Sequence, residues 1–139
     1  MLKLLPFQLN AVRLVKTFND QFNLMHERFT GAGLPIASVG SAAWSALGID
    51  GEAYSDLVAE DRKNIPNCCL AIPTGGGKTI TGLCSALELS IANDKPFIVW
   101  LVPSDAIYQQ VLKTFAPGGM YYTSIFELYK KKINLKLSS

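Results

Sequence analysis

The sequence predicts an α/β fold in which helices flank a parallel sheet. Two short apolar runs, Cys68–Ile72 and Phe97–Val102, have the length and composition of buried strands. A helical stripe of apolar residues follows each run, which gives the order strand, helix, strand, helix. A glycine-rich loop, Pro73–Gly77, stands between the first run and its helix. Because parallel strands need crossover connections of this kind, the order favours a parallel sheet.

Residues 1–30 are predicted to form an N-terminal helix over about Pro6–Arg28. Apolar residues recur there at helical spacing: Phe7, Ala11, Leu14, Val15, Phe18, Phe22, Met25 and Phe29. Pro6 suits a first turn, where its missing N–H costs nothing. The segment Thr30–Gly33 is predicted to end the helix because it contains two glycines.

Residues 31–67 are predicted to form an irregular insertion, with a short helix over Tyr54–Arg62. Residues 68–119 are predicted to form the α/β core. Its first helix carries the stripe Ile80, Leu83, Cys84, Leu87 and Ile91. Its second helix is predicted over Asp105–Phe115, where Pro117 and the following glycines stop it. Residues 120–139 are an atypical tail rich in lysine, leucine and serine.

Composition indicates one soluble, ordered domain. The chain has 139 residues, of which 49% are hydrophobic and 17% charged, and its net charge of +2 does not by itself argue for nucleic acid. The apolar run Phe97–Val102 is far too short to span a bilayer, so we expect a cytoplasmic protein that does not contact a membrane. Cys68, Cys69 and Cys84 are expected to be reduced, mostly buried thiols, because adjacent cysteines rarely meet disulfide geometry.

The stretch Pro73–Thr79 has the residue types of a phosphate-binding loop. The glycines Gly75–Gly77 carry no Cβ, so a polyphosphate can approach the backbone N–H groups and the helix N-terminus. Lys78 offers a charge for the β- and γ-phosphates, and the Thr79 hydroxyl offers a ligand for Mg²⁺. The alternative is a plain glycine turn followed by a surface lysine. The predicted ATP contacts are Pro73, Thr74, Gly75, Gly76, Gly77, Lys78 and Thr79.

The strict P-loop pattern is not met, because Ile72 occupies the position of its first glycine. The form Pro73-Thr-Gly-Gly-Gly-Lys-Thr79 instead resembles motif I of superfamily 2 helicases of the DEAD/DEAH type. This resemblance implies a partial RecA-like P-loop NTPase domain. Leu5-Pro-Phe-Gln-Leu-Asn-Ala11 resembles the segment upstream of motif I, in which a glutamine hydrogen-bonds adenine. The resemblance implies that role for Gln8, although a glutamine at such a helix start is usually just solvated.

A third segment, Leu101-Val-Pro-Ser-Asp-Ala-Ile-Tyr-Gln-Gln110, resembles motif Ia, which contacts the nucleic-acid backbone. The resemblance implies DNA contacts for Pro103, Ser104 and Gln109. In this chain Ser104 replaces the usual threonine and Ile107 the usual leucine. Ser104 is equally suited to cap the helix that follows it, and we expect it to do both.

The three motifs in this order most resemble the N-terminal part of the Res subunit of type III restriction enzymes. The resemblance covers Leu5–Arg28 and about Asp61–Phe115. It implies an ATP- and Mg²⁺-dependent helicase or DNA translocase that acts with a modification methyltransferase subunit. Whether the role is restriction, repair or general helicase work stays open at this point.

Several parts of a complete helicase are not found in the sequence. After the motif I helix the acidic residues are Asp94, Asp105 and Glu127, and none forms the Asp-Glu pair that holds Mg²⁺ and orients water. Arginine fingers, a second lobe and a nuclease domain are not recognised either, and no catalytic residue is located. We therefore expect a truncated product that binds ATP weakly and is inactive alone. The tail after Met120 is either an ordinary polar terminus or a segment read out of frame, and the sequence leaves both open.

An alternative is a free-standing nucleotide- or partner-binding module without helicase activity. A small P-loop kinase is disfavoured, because no acceptor-site acids or lid arginines follow the loop. The DNA downstream of the codon for Ser139 separates the first two interpretations, since an acidic motif in any frame would identify a fragment.

Overall fold

The structure is a computed structural model that describes residues 4–49, 53–61, 63–91 and 98–122. Within these ranges the secondary structure is mostly helical. The helices are α1 (Pro6–Gly31), a short 3₁₀ turn (Ile36–Ser38), α2 (Val39–Ala46), α3 (Lys78–Ile91) and α4 (Asp105–Phe115). The strands β1 (Leu57–Val58) and β2 (Asn64–Ile65) form an antiparallel pair. None of the helices in the described ranges has the length and apolar content to cross a membrane.

The chain divides into two compact units. The loop unit comprises Met1–Val12 and Ile72–Ser139, and the hairpin unit comprises Arg13–Ala71. Each unit has its own cluster of buried apolar side chains. The division falls inside α1, just after Val12.

In the loop unit, α3 supplies most of the core. The buried residues are Val12, Ile80, Leu83, Cys84 and Leu87. Trp100 packs against this cluster and meets Phe115 edge-on, with ring centroids 5.6 Å apart. A Cβ built at Gly82 would lie 3.1 Å from the Trp100 ring, so the glycine lets the indole approach α3 closely. The helix that follows the glycine loop is thereby fixed along its apolar face.

In the hairpin unit, an aromatic cluster packs between α1 and α2. Its buried residues are Phe18, Phe22, Val39 and Ala43. The Phe18 ring contacts Trp44 and Tyr54, with centroid distances of 5.8 and 5.5 Å.

A half-buried carboxylate ties α2 to the β-hairpin of the same unit. Asp56 accepts hydrogen bonds from the backbone N–H of Ser41 at 3.1 Å and from Asn64 Nδ2 at 2.6 Å. The Ser41 hydroxyl also donates to the Asp56 carboxylate. Because Ser41 lies in the first turn of α2, the carboxylate is placed where a helix end favours negative charge.

The helices predicted from apolar spacing are confirmed. The structure gives Pro6–Gly31, Lys78–Ile91 and Asp105–Phe115, so α1 runs three residues beyond the predicted end. Residues 31–67, predicted as irregular, contain the 3₁₀ turn, α2 and the hairpin. The predicted helix over Tyr54–Arg62 is wrong in its described part, where Leu57–Val58 is a strand instead. Pairing of that segment with Asn64–Ile65 satisfies its backbone in place of helical bonds.

The predicted parallel sheet does not appear among the described residues. Cys68–Ile72 and residues 98–102 lack regular secondary structure, and Phe97 lies outside the described ranges. Parallel strands are stable when both faces are covered and a neighbouring strand accepts their hydrogen bonds. Here Val99 and Leu101 are 62% and 88% exposed, and the described part of the chain provides no strand beside them. The apolar runs therefore predicted buried strands that the described residues do not form, because such a run does not specify its pairing partner.

The prediction of mostly buried cysteines is also wrong for two of the three residues. Cys84 is buried in the core of the loop unit, as its place in the α3 stripe predicted. Cys68 and Cys69 are exposed because they lie in the extended segment that forms no strand. All three are free thiols.

Candidate nucleotide-binding site

The glycine loop leaves Ile72 as a tight turn and enters α3 at Lys78. The N–H of Gly76 donates to the carbonyl oxygen of Pro73 at 2.9 Å, which closes the turn. Gly75 and Gly77 have φ angles of 78° and 76°, a region that residues with a Cβ rarely adopt. The residues Gly75–Gly77 lie outside the helix, as the sequence predicted, and the conformation of Gly75 and Gly77 favours glycine.

Packing against the loop also requires glycine. A Cβ built at Gly76 would lie 2.8 Å from Ile72 Cγ2 and 2.9 Å from the carbonyl oxygen of Pro73. A Cβ at Gly77 would lie 2.5 Å from Gln8 Nε2. Neighbouring residues therefore leave no room for a Cβ at Gly76 or Gly77.

Gln8 is the side chain that the N-terminal segment brings to this loop. It is 7% exposed, and its Nε2 donates to the carbonyl oxygen of Gly76 at 2.9 Å. Its Oε1 accepts the backbone N–H of Leu5 at 2.8 Å. The two segments that sequence patterns singled out separately, 68 residues apart, are therefore joined by one side chain.

The N-terminus of α3 is suited to an anion. The first helical hydrogen bond runs from the N–H of Thr81 to the carbonyl oxygen of Gly77, at 3.0 Å. The N–H groups of the preceding residues in the first turn have no acceptor within the helix. Lys78 is exposed and no acidic residue lies in this turn. Positive charge and unused N–H groups therefore coincide at one helix end.

Thr79 lies at the edge of a cleft of about 180 Å³ in the loop unit. One face of α4 forms the opposite wall, and the lining residues are Thr79, Ile107, Gln110, Val111, Thr114, Met120 and Tyr121. Gln110 lines this cleft together with Ile107, Val111 and Thr114, because residues spaced by three and four share a helix face. The cleft places the Thr79 side chain beside a partly polar wall.

The segment that resembles motif Ia starts α4. Ser104 is its N-cap, with extended backbone, and its hydroxyl accepts the N–H of Ile107 at 3.5 Å. The capping role expected of Ser104 is confirmed, although this distance is long for a hydrogen bond. Pro103, Ser104 and Gln109 are all exposed. They are accessible to a ligand but do not converge on the glycine loop in any contact described.

Thr81 is the residue of this site that sequence reasoning missed. It is completely buried, and its Oγ1 donates to the carbonyl oxygen of Gly77 at 3.0 Å. A threonine four residues after a loop glycine is the spacing at which such a bond forms, so the signal was present in the sequence. No cluster of three or more His, Cys, Asp or Glu side chains suited to a metal occurs in the described ranges.

Comparison with known proteins places the chain in a family. The sequence model of the family described as type III restriction enzyme, res subunit, matches residues 2–138. No curated protein and no solved structure matches the chain significantly. The match spans the Gln8 segment, the glycine loop and α4, and nearly the whole chain. The chain therefore belongs to the type III restriction enzyme res subunit family.

Proposed function

We propose that the chain binds Mg-ATP at Pro73–Thr79, as the N-terminal part of a DNA helicase or translocase of a type III restriction–modification system. The observation that carries the proposal is the hydrogen bond from Gln8 to Gly76, which joins the segment upstream of motif I to the loop itself. Membership of the res subunit family supports helicase-type, ATP-dependent chemistry. A glycine turn with a chance lysine would not need such a buried connection.

The residues of the loop fit a polyphosphate chain. Glycine at three successive positions leaves the outer side of the loop without side chains. On the inner side, Ile72 lies close to Gly76 and Gln8 lies close to Gly77, so neither position has room for a Cβ. Lys78 would neutralise the terminal phosphates, and the N–H groups at the start of α3 would donate to their oxygens. The Thr79 hydroxyl would be one ligand of Mg²⁺, with phosphate oxygens and water as others. Bound ATP would supply the phosphoanhydride bond.

DNA and the methyltransferase subunit belong to the same proposal. The free N–H groups and hydroxyl at the start of α4 suit a backbone phosphate, which would contact Pro103, Ser104 and Gln109. The RecA-like parallel sheet belongs to it as well. Residues 98–102 are apolar on both faces, as a central strand requires, and would pair with Cys68–Ile72 and further strands of a complete domain.

Replacing Lys78 tests the site directly. Lys78→Ala removes a charge-assisted contact worth roughly 1.5–3 kcal/mol, so ATP affinity should fall about ten- to a hundredfold. Titration of a labelled ATP with Mg²⁺ measures this. Lys113→Ala, which removes an exposed lysine from the last turn of α4, is the matched control and should bind like the wild type. Equal affinities for all three proteins would reject the assignment.

A further inference from the structure

Two buried side chains hold consecutive carbonyl groups of the glycine loop. Gln8 Nε2 donates to the oxygen of Gly76 at 2.9 Å. Thr81 Oγ1 donates to the oxygen of Gly77 at 3.0 Å, beside the helical N–H of Thr81 that donates to the same oxygen. Gln8 is 7% exposed and Thr81 is fully buried. Both carbonyls are thus fixed toward the protein side of the loop, away from solvent.

Fixing these oxygens also fixes two N–H groups. In a planar trans peptide the C=O and the N–H point in opposite directions, and the described chain contains no cis peptide. The carbonyl of Gly76 shares its peptide with the N–H of Gly77, and the carbonyl of Gly77 shares its peptide with the N–H of Lys78. When the oxygens point inward, the two hydrogens therefore point outward. The preceding N–H, that of Gly76, is already used in the turn with Pro73.

We propose that Gln8 and Thr81 are positioning residues of the phosphate site. They hold the carbonyls of Gly76 and Gly77 so that the N–H groups of Gly77 and Lys78 stay directed at the polyphosphate. The inference rests on the proposed function, and it assigns Gln8 a task different from hydrogen bonding to adenine. The oxygen and the nitrogen of its carboxamide each already have a backbone partner, Leu5 and Gly76.

Inorganic tripolyphosphate distinguishes positioning of the loop from hydrogen bonding to adenine, because it has phosphates but no base. Binding of Mg-ATP and of Mg-tripolyphosphate to the full chain is compared for the wild type, Gln8→Met and Thr81→Val. Both variants keep a similar volume. Thr81→Val loses the donor to Gly77, and Gln8→Met loses the donor to Gly76 together with the oxygen that accepts the N–H of Leu5. We expect each to weaken both ligands equally, by about three- to tenfold, the worth of one ordinary hydrogen bond. Loss of ATP affinity alone in Gln8→Met would assign Gln8 to the base and overturn the inference.

Two further variants distinguish positioning from general loss of structure. Thr81→Ser keeps the hydroxyl and should retain most of the affinity that Thr81→Val loses. Ser90→Ala removes a buried hydroxyl that bonds the carbonyl oxygen of Ala86 in the same helix, far along from the loop, and should bind like the wild type. Thermal unfolding of each variant is recorded in parallel. If Thr81→Val does not fold, the Gln8→Met comparison decides.

The outcomes also separate this inference from the proposed function. A wild-type chain that binds neither ligand rejects both. A wild-type chain that binds both ligands, with Gln8→Met and Thr81→Val binding them as tightly, leaves the nucleotide site intact and rejects only the positioning role.

Discussion

Gly75 and Gly77 have nearly the same φ angle, 78° and 76°, in different surroundings. A Cβ at Gly75 would meet nothing within 4 Å, whereas a Cβ at Gly77 would lie 2.5 Å from Gln8 Nε2. Alanine substitutions at the two positions can therefore separate the cost of backbone strain from the cost of steric contact.

We expect Gly75→Ala to destabilise the chain by about 1–2 kcal/mol, the cost of a Cβ in this conformation. Gly77→Ala should cost about 1 kcal/mol more, because Gln8 must also give up its bond to Gly76. Urea unfolding of the two variants measures the difference. Identical free energies of unfolding would mean that Gln8 moves aside at no cost.

At the scale of single residues, the sequence predicted the position of the glycine loop but not the contacts that hold it. Lys78 and the three glycines were singled out because their residue types suit the binding of a phosphate. The contact of Gln8 with Gly76 joins residues 68 positions apart, and no local pattern encodes such a distance. Thr81 was overlooked because a small polar residue in a helical stripe resembles an ordinary core position.

At the scale of elements, the N-terminus of α4 has one observed role and one proposed role, which a single substitution can separate. Ser104 caps the helix and is proposed to contact DNA. Ser104→Ala should lose about 0.5–1 kcal/mol of stability, at the low end for a cap because the hydrogen bond is long. Ser104→Asp should keep the cap, since aspartate is an equally good N-cap, while placing negative charge where a phosphate would bind.

The measurement combines thermal unfolding with titration of a fluorescent duplex at fixed low salt. We expect Ser104→Asp to match the wild type in stability and to bind duplex DNA several-fold more weakly, since one phosphate contact is replaced by repulsion. Unchanged DNA binding in this variant would reject the proposed DNA contact of Ser104 and leave capping as its one role.

Helices and strands differed in how far they could be predicted. A helix satisfies its backbone within its own segment, so the apolar stripes of α1, α3 and α4 were sufficient. A strand depends on a neighbour that the same segment does not specify. The runs Cys68–Ile72 and 98–102 were predicted from burial alone, and in the structure Leu101 is instead largely exposed. The hairpin of β1 and β2 was missed because each strand has only two residues.

At the scale of the whole molecule, we expect nucleotide binding without turnover. Rate depends on groups that act on the transition state, and in phosphoryl-transfer enzymes an arginine alone contributes on the order of 10³–10⁵. Of the acids that follow α3, Asp105 is exposed at the start of α4, and Asp94 and Glu127 lie outside the described ranges. No acidic pair occurs in that part of the sequence.

Phosphate release from saturating Mg-ATP should therefore remain at background, with or without duplex DNA. Lys78→Ala serves as the blank for contaminating activity. Turnover that exceeds background in the wild type and vanishes in Lys78→Ala would contradict the expectation. It would favour a free-standing enzyme over an N-terminal portion that depends on further parts.

The placement of the two tryptophans gives each unit its own fluorophore. Trp44 lies in the aromatic cluster of the hairpin unit, and Trp100 lies against Gly82 and Phe115 in the loop unit. These are the only tryptophans in the sequence. Emission from Trp44→Phe therefore follows the loop unit alone, and emission from Trp100→Phe follows the hairpin unit alone. Melting curves of these two proteins would show, without any added label, whether the units lose their structure in one step or in two.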